Sequence, residues 1–287
     1  MAAGVRVAPV STVGAGTVAV VVIPQSVAYA GLAGMPLVSG LYAALLPMLV
    51  AVLFGRSTRL SVGPSALSAV LIGASLSGMA EPGSPQWVAL AVWLALLSGV
   101  MQVLVGVTGS AWMLNLVSAP VLTGFTQAAA LLIMASQLPA LTGMQGPLTG
   151  LFQGARPELE TLAYGLGSLA LLEFGKRRLP RVPMVLVVLA ASAAISAATG
   201  FTARGQVVGE LPTGLPSLYL PGWPVWEQLA MLLAPALVLA LVSSLEMASS
   251  AKIENQREGR RWDADQDLVG QGLGKLASAL CGAFPTS

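Results

Sequence analysis

One carboxylate falls where an apolar helix is expected. Glu246 lies in Leu241-Val242-Ser243-Ser244-Leu245-Glu246, six residues before Lys252 and therefore about 9 Å inside the charged end of its segment. An acid at the centre of a membrane helix costs about 2.5 to 3.5 kcal/mol on insertion scales, so it must face a cavity or carry a proton. The other reading is an acid that snorkels, or pairs with a lysine, near the interface. The 287 residues include no histidine, so proton-linked chemistry falls to carboxylates. A Ser/His/Asp triad, a His-containing metal site and a histidine proton relay are all excluded. The single cysteine, Cys281, rules out a disulfide within the chain. No enzyme chemistry and no cofactor is called for.

The second chemical feature is a helix start inside an apolar region. Ser61-Val62-Gly63-Pro64-Ser65-Ala66-Leu67-Ser68 opens the stretch Leu60 to Leu76, and Gly78 ends it. That leaves about sixteen residues, whereas a helix crossing a ~30 Å hydrocarbon core needs about twenty. Gly-Pro followed by Ser is a helix start, because proline fits the first turn and a serine hydroxyl serves unpaired amides. At membrane depth, the unpaired amides and the positive dipole end suit an anion. Pro64, Ser65, Ala66 and Leu67 are the candidate binding residues. The plainer alternative is an ordinary helix start after a cytoplasmic turn.

Two further candidates precede it. Gln25 follows Pro24 inside segment one, and its amide can donate to an oxyanion or to the carbonyl that proline leaves free. Tyr29, four residues on and on the same helical face, can add a hydroxyl or act as an interfacial anchor.

The elements that position these residues follow from composition. With 55% hydrophobic and 9% charged residues, the chain is far from the roughly 25% charged of soluble proteins. Leu- and Ala-rich segments predict an all-α polytopic membrane protein, not an alternating barrel. A net charge of +2 gives no case for nucleic acid. Arg6, the apolar run Val13 to Ile23 and Ala28-Tyr29-Ala30 resemble a signal peptide, but apolar sequence continues beyond them and retention is expected.

Nine segments are expected: 10–34, 38–54, the short third, 86–107, 114–138, 159–174, 183–199, 226–253 and 268–283. A Pro/Gly-rich connection, 200–224, separates the seventh and eighth. Placing the N-terminus inside puts Arg56, Arg59, the Lys176 to Arg181 cluster, Lys252, Arg257, Arg260 and Arg261 in inner loops and only Arg156 and Arg204 in outer ones. That assignment requires the third segment to complete a crossing, with Ser61 to Pro64 extended. Trp87, Trp112, Trp223 and Trp226 read as interfacial belts, and the basic loops as topology determinants with possible lipid contact.

Several motifs in register now carry a resemblance. Ile23-Pro24-Gln25-Ser26-Val27-Ala28-Tyr29-Ala30, Leu32-Ala33-Gly34-Met35-Pro36, Gly40-Leu41-Tyr42, Phe54-Gly55 and Ser61-Val62-Gly63-Pro64 look like the successive motifs of the sulfate permease (SulP) anion transporters. Asp265-Gln266-Asp267-Leu268 and Phe284-Pro285-Thr286-Ser287 are similar to later ones. The resemblance implies a seven-plus-seven inverted-repeat fold with discontinuous half-helices, the third and tenth segments meeting near the midplane. It implies a transport domain (residues 1–108, resumed at 226–287), a gate domain (109–200) and a connection (201–225).

The implied function is secondary active anion transport by alternating access: proton symport of an oxyanion or dicarboxylate such as sulfate, bicarbonate or fumarate, in a bacterial inner membrane. Glu246 would be the proton-coupling acid, matching an acid of many bacterial members. Sodium remains open as coupling ion, and a passive anion channel or a nucleobase permease of the same fold remain open as alternatives. A homodimer through a C-terminal STAS domain would belong to the longer protein. Because the tenth segment is absent, the expectation is half a binding site, and no transport by these 287 residues alone.

Overall fold

The computed structural model describes residues 12–57, 62–116, 119–143, 158–179, 182, 184–201, 214, 216–222, 226–258 and 261–287. Ser61, Arg59 and most of the 201–225 connection lie outside them. Nine α-helices occur among the described residues: α1 Thr12–Leu32, α2 Leu37–Phe54, α3 Ala66–Leu76, α4 Pro85–Val107, α5 Ala119–Thr142, α6 Leu159–Arg178, α7 Met184–Thr199, α8 Trp226–Glu258 and α9 Ala264–Leu280. A 3-10 stretch, Ser110–Leu116, follows α4.

α2, α4 and the 226–252 part of α8 are long and apolar enough to cross a membrane, by length and composition; residues 21–32, 66–76, 130–142 and 184–199 form shorter apolar helices. Leu53, Val107, Met231 and Leu241 project outward among many other exposed aliphatic side chains. Lipid, not water, suits such a surface.

Local signals set several helix starts. Ser84 caps α4, accepting from the Trp87 amide at 3.1 Å, with Pro85 in the first turn. Asp263 caps α9, which therefore starts at Ala264 instead of the expected Leu268, and Asp265 and Asp267 occupy the acid-favouring first turn. α8 runs past the expected Ile253 to Glu258, through Glu254-Asn255-Gln256-Arg257-Glu258. Most of these polar residues are good helix formers, so charge ended the apolar run without ending the helix. α1 continues through Pro24.

The chain divides into two compact units, Met1–Gln25 with Gln137–Gly209, and Ser26–Ser136 with Glu210–Ser287. In the first, α6 and α7 pack side by side, the Tyr164 hydroxyl meets Thr199 Oγ1 at 2.7 Å, and the Tyr164 and Phe201 rings lie 4.7 Å apart.

In the second unit α9 packs against both α4 and α2. Glycine makes this approach possible: a Cβ on Gly272 would meet the Gly99 carbonyl oxygen at 2.8 Å, and one on Gly99 would meet the Gly272 oxygen at 2.9 Å. The core around Ile72, Leu76, Leu90, Leu94, Leu239 and Phe284 draws on α3, α4, α8 and the segment after α9.

Trp87 corrects an expectation. It is not an interfacial residue but 2% exposed, and its indole donates to the Ala33 carbonyl at 2.9 Å under Gly34. That carbonyl sits just beyond the C-terminus of α1, where helix carbonyls lack partners of their own. Trp112 and Trp226 are exposed, 60% and 79%; Trp223 lies outside the described residues.

Candidate functional site

α3 has 11 residues, about 16 Å of helix, half a bilayer core. Ser65 is its N-cap, in extended conformation, with its hydroxyl accepting from the Ser68 amide at 3.2 Å. Ser65 also takes the Ala69 amide on its carbonyl at 3.0 Å. The amides left for a guest are therefore those of Ser65, Ala66 and Leu67. Pro64 has no N–H and precedes the cap, so it cannot donate as proposed from the sequence; it shapes the entry to the helix.

The same hydroxyl reaches Glu246. Ser65 Oγ donates to Glu246 Oε2 at 3.3 Å and accepts from Ser287 Oγ at 2.6 Å. With the Ser68 amide, this uses one donor and two acceptor positions, the full capacity of a hydroxyl. Backbone bonds fix the neighbour: the Gly63 amide donates to the Ser287 carbonyl at 3.0 Å and the Ser287 amide returns to the Gly63 carbonyl at 2.9 Å. Extended chain thus runs along the α3 entry, its backbone polar groups paired instead of orphaned. Ser68 Oγ and Thr286 Oγ1 are buried beside these contacts in sequence, with no hydrogen-bond partner.

A cation completes the surroundings. Lys275 on α9 is fully buried, its Nζ donating to Ser243 Oγ on α8 at 2.5 Å, and it interacts electrostatically with Glu246. Gln102 Nε2 on α4 lies within hydrogen-bond reach of Ser243 Oγ at 3.0 Å, Ser244 Oγ at 2.9 Å and Gln271 Oε1 at 2.8 Å, more acceptors than its two hydrogens serve at once. Gln271 donates back to the Ser243 carbonyl at 3.3 Å. A polar layer joining α4, α8 and α9 therefore lies behind the α3 N-terminus.

Below it, Asp267 is 3% exposed and accepts from the amides of Arg56 at 2.7 Å and Ser57 at 2.9 Å, from the Ser57 hydroxyl and from Trp262 Nε1 at 2.9 Å. Asp265 takes the Ala111 amide at 2.9 Å. These acids are struts that fasten α9 to the α2 exit and the 3-10 stretch.

Of the residues singled out from sequence, the structure joins Ser65 and Glu246 directly, with Pro64, Ala66 and Leu67 alongside. Tyr29 is half-buried against the apolar core of the second unit. Gln25 is exposed and is the last residue of its stretch of the first unit.

A sequence model described as the sulfate permease family matches residues 11–287. The chain belongs to the sulfate permease family. It is 32% identical over 280 residues to a probable sulfate transporter of Mycobacterium tuberculosis, covering 94% of this chain and 50% of that protein. It is 28% identical over 287 residues to the chloroplastic sulfate transporter 4.1 of Arabidopsis thaliana, covering 94% and 42%. Among solved structures, the transmembrane domain of the cyanobacterial bicarbonate transporter BicA superposes with a TM-score of 0.80 at 25% identity, covering 95% of this chain and 72% of that one. The all-helical inverted-repeat fold expected from the motifs is thereby established, and this chain spans about half the length of the curated relatives it matches.

In this member of the sulfate permease family, sequence reasoning missed Lys275, Gln102 and Gln271. A signal existed: Gln271 and Lys275 are four apart, on one face of a glycine-rich helix, and Lys275 is a lone cation between Leu268 and Leu280.

Proposed function

We propose that the protein containing this chain is a secondary active anion transporter, taking up an oxyanion or dicarboxylate with a proton by alternating access. The contact between Ser65 at the α3 N-terminus and Glu246 on α8 carries this reading. It sets a carboxylate on the hydroxyl that caps α3, so a titratable acid and an anion-favouring helix end share one place. The curated relatives named as sulfate transporters and the bicarbonate transporter support an anionic substrate. In this reading Ser65, Ala66 and Leu67 form one half of the binding site, with Pro64 shaping the helix entry and Tyr29 contributing from α1. Residues 1–108 and 226–287 move as the transport domain against a gate formed by 109–200. The protein sits in the bacterial inner membrane with its N-terminus in the cytoplasm, and pairs with a second copy through a domain beyond these residues.

The test is uptake of labelled sulfate, bicarbonate and fumarate by the full-length protein in liposomes, with and without an inward pH gradient. Accumulation above equilibrium that requires the gradient is the expected result. Dissipative flux alone would replace the transporter by a channel, and transport of uracil in place of anions would make it a nucleobase permease.

A further inference from the structure

We propose that Lys275 links proton uptake to anion binding: while Glu246 is charged it balances the buried ammonium, and when Glu246 takes a proton the ammonium is left to an incoming anion. The proposal rests on the anion-site reading above and deepens it by naming the residue through which proton and anion are coupled.

The argument begins with burial. A fully buried ammonium is tolerated only when paired, and the single hydroxyl that Lys275 Nζ touches, Ser243 Oγ, carries no charge. Ser243 and Glu246 are three apart on α8, neighbouring positions on one side of the helix, and Glu246 is the acid that interacts with Lys275. Glu246 in turn touches Ser65 at the α3 N-terminus. The carboxylate therefore occupies the place that the helix dipole and the lysine both favour for negative charge: it is the resident anion of the site.

No other charged group competes for this role. α3, α4 and the 3-10 stretch packed against α8 contain no titratable residue. On α9, Asp265 and Asp267 are two to three turns before Lys275 and are held by Ala111, Arg56, Ser57 and Trp262. On α8, Lys252 reaches the Leu114 carbonyl at 3.4 Å, Glu254 is two turns beyond Glu246, and Glu227 is at the far end. Arg257 and Glu258 close α8 about three turns beyond Glu246, and Cys281 on α9's exit, Tyr42 on α2 and Tyr29 on α1 are the remaining ionisable side chains of the surrounding elements.

The charges balance through the exchange. Before it, Glu246 carboxylate and Lys275 ammonium sum to zero; after it, neutral Glu246, Lys275 ammonium and one negative charge of the substrate again sum to zero. The proton is on a carboxylate oxygen, no covalent bond to the substrate forms, and anion and proton each strengthen the other's binding by the same factor. Gln102, whose Oε1 is buried without a partner, and Gln271 hold Ser243 in register so that the ammonium keeps its position.

The experiment measures binding of sulfate, chloride and fumarate to the purified full-length protein by calorimetry across acidic to neutral pH, with a pH-indicator dye counting protons. Wild type should bind at least one of the three more tightly as pH falls, with proton uptake on binding. Lys275→Met should weaken that anion about tenfold or more and flatten the pH profile, while Lys275→Arg keeps the profile. Glu246→Gln should bind at neutral pH as tightly as wild type does in acid, with no proton uptake. Lys275→Met with wild-type affinity and pH slope overturns the coupling role alone. Should Lys275→Met not be recovered folded, Glu246→Gln decides, because a retained pH slope and proton uptake there overturn the proposal. Binding of none of the three anions by wild type overturns the anion-site reading itself.

Discussion

Ser65 and Ser287 share a hydrogen bond of 2.6 Å, from Ser287 Oγ to Ser65 Oγ, between residues 222 positions apart. It ties the cap of α3 to the extended segment after α9, next to the paired backbone groups of Gly63 and Ser287. The half-helix start is therefore a tertiary assembly, although its turn chemistry is local.

Removing the cap should be costly in proportion to what it holds. Ser65→Ala loses the side-chain acceptor for the Ser68 amide and the donor to Glu246. A lost N-cap alone costs about 1 kcal/mol. The expected outcome is a thermal midpoint in detergent below wild type by that cap loss or more. Ser65→Asn should recover much of it, since asparagine caps as well. Equal midpoints for Ser65→Ala and wild type would show that the cap is not holding α3.

Asp267 should be the most sensitive acid outside the α3 region. Its carboxylate is buried and accepts from two backbone amides, one hydroxyl and one indole. Asp267→Ala strands all four donors, and each unsatisfied buried group costs about 1 to 3 kcal/mol. The full-length protein should lose several kcal/mol of stability and yield little folded material on size-exclusion chromatography. Asp263→Ala, which removes the exposed 3.3 Å ion pair with Arg56 and the α9 cap, should cost only about 1 kcal/mol. A reversed order of the two variants would refute the strut role.

What the sequence made legible was what is local. Gly63-Pro64-Ser65 and Gly78 bound α3 by turn chemistry, and the structure places the helix between them at Ala66–Leu76. Glu246 was visible as a lone charge inside an apolar run. Lys275 was equally lone, yet its meaning depends on Ser243 and Glu246 of another helix, and spacing along α9 does not encode which face of α8 it meets. Asp267 was visible as part of a motif, but its four donors come from residues far away in the chain or in a loop. Trp87 was misread for the same reason: whether an indole lies at an interface or inside is decided by an acceptor, here the Ala33 carbonyl, contributed by α1.

That bond gives a prediction of its own. Trp87→Phe keeps most of the buried ring but deletes the donor to Ala33. A lost buried hydrogen bond plus an unsatisfied carbonyl should cost about 1 to 3 kcal/mol. Amide exchange should quicken at residues 33 to 35, in the α1 to α2 connection, before it does elsewhere. Unchanged exchange there would mean that the indole only fills space.

The close approach of α4 and α9 supplies the sharpest contrast. Gly272→Val would drive a Cβ to 2.8 Å from the Gly99 carbonyl oxygen and 2.9 Å from the Val103 amide nitrogen, both backbone atoms that cannot swing aside. Overpacking of this kind costs about 1 to 3 kcal/mol, and the shift of α9 would carry Gln271 and Lys275 away from Ser243. Gly167 on α6 is the opposite case: an added Cβ there meets nothing within 4 Å. Gly167→Ala should be neutral or stabilise by about 0.5 to 1 kcal/mol, because alanine loses less freedom in a helix. Thermal midpoints of the two variants, measured side by side in one detergent, should move in opposite directions or differ by at least the overpacking cost. A Gly272→Val protein as stable as wild type would mean that α4 and α9 can separate freely, and the polar layer between them would lose its fixed geometry.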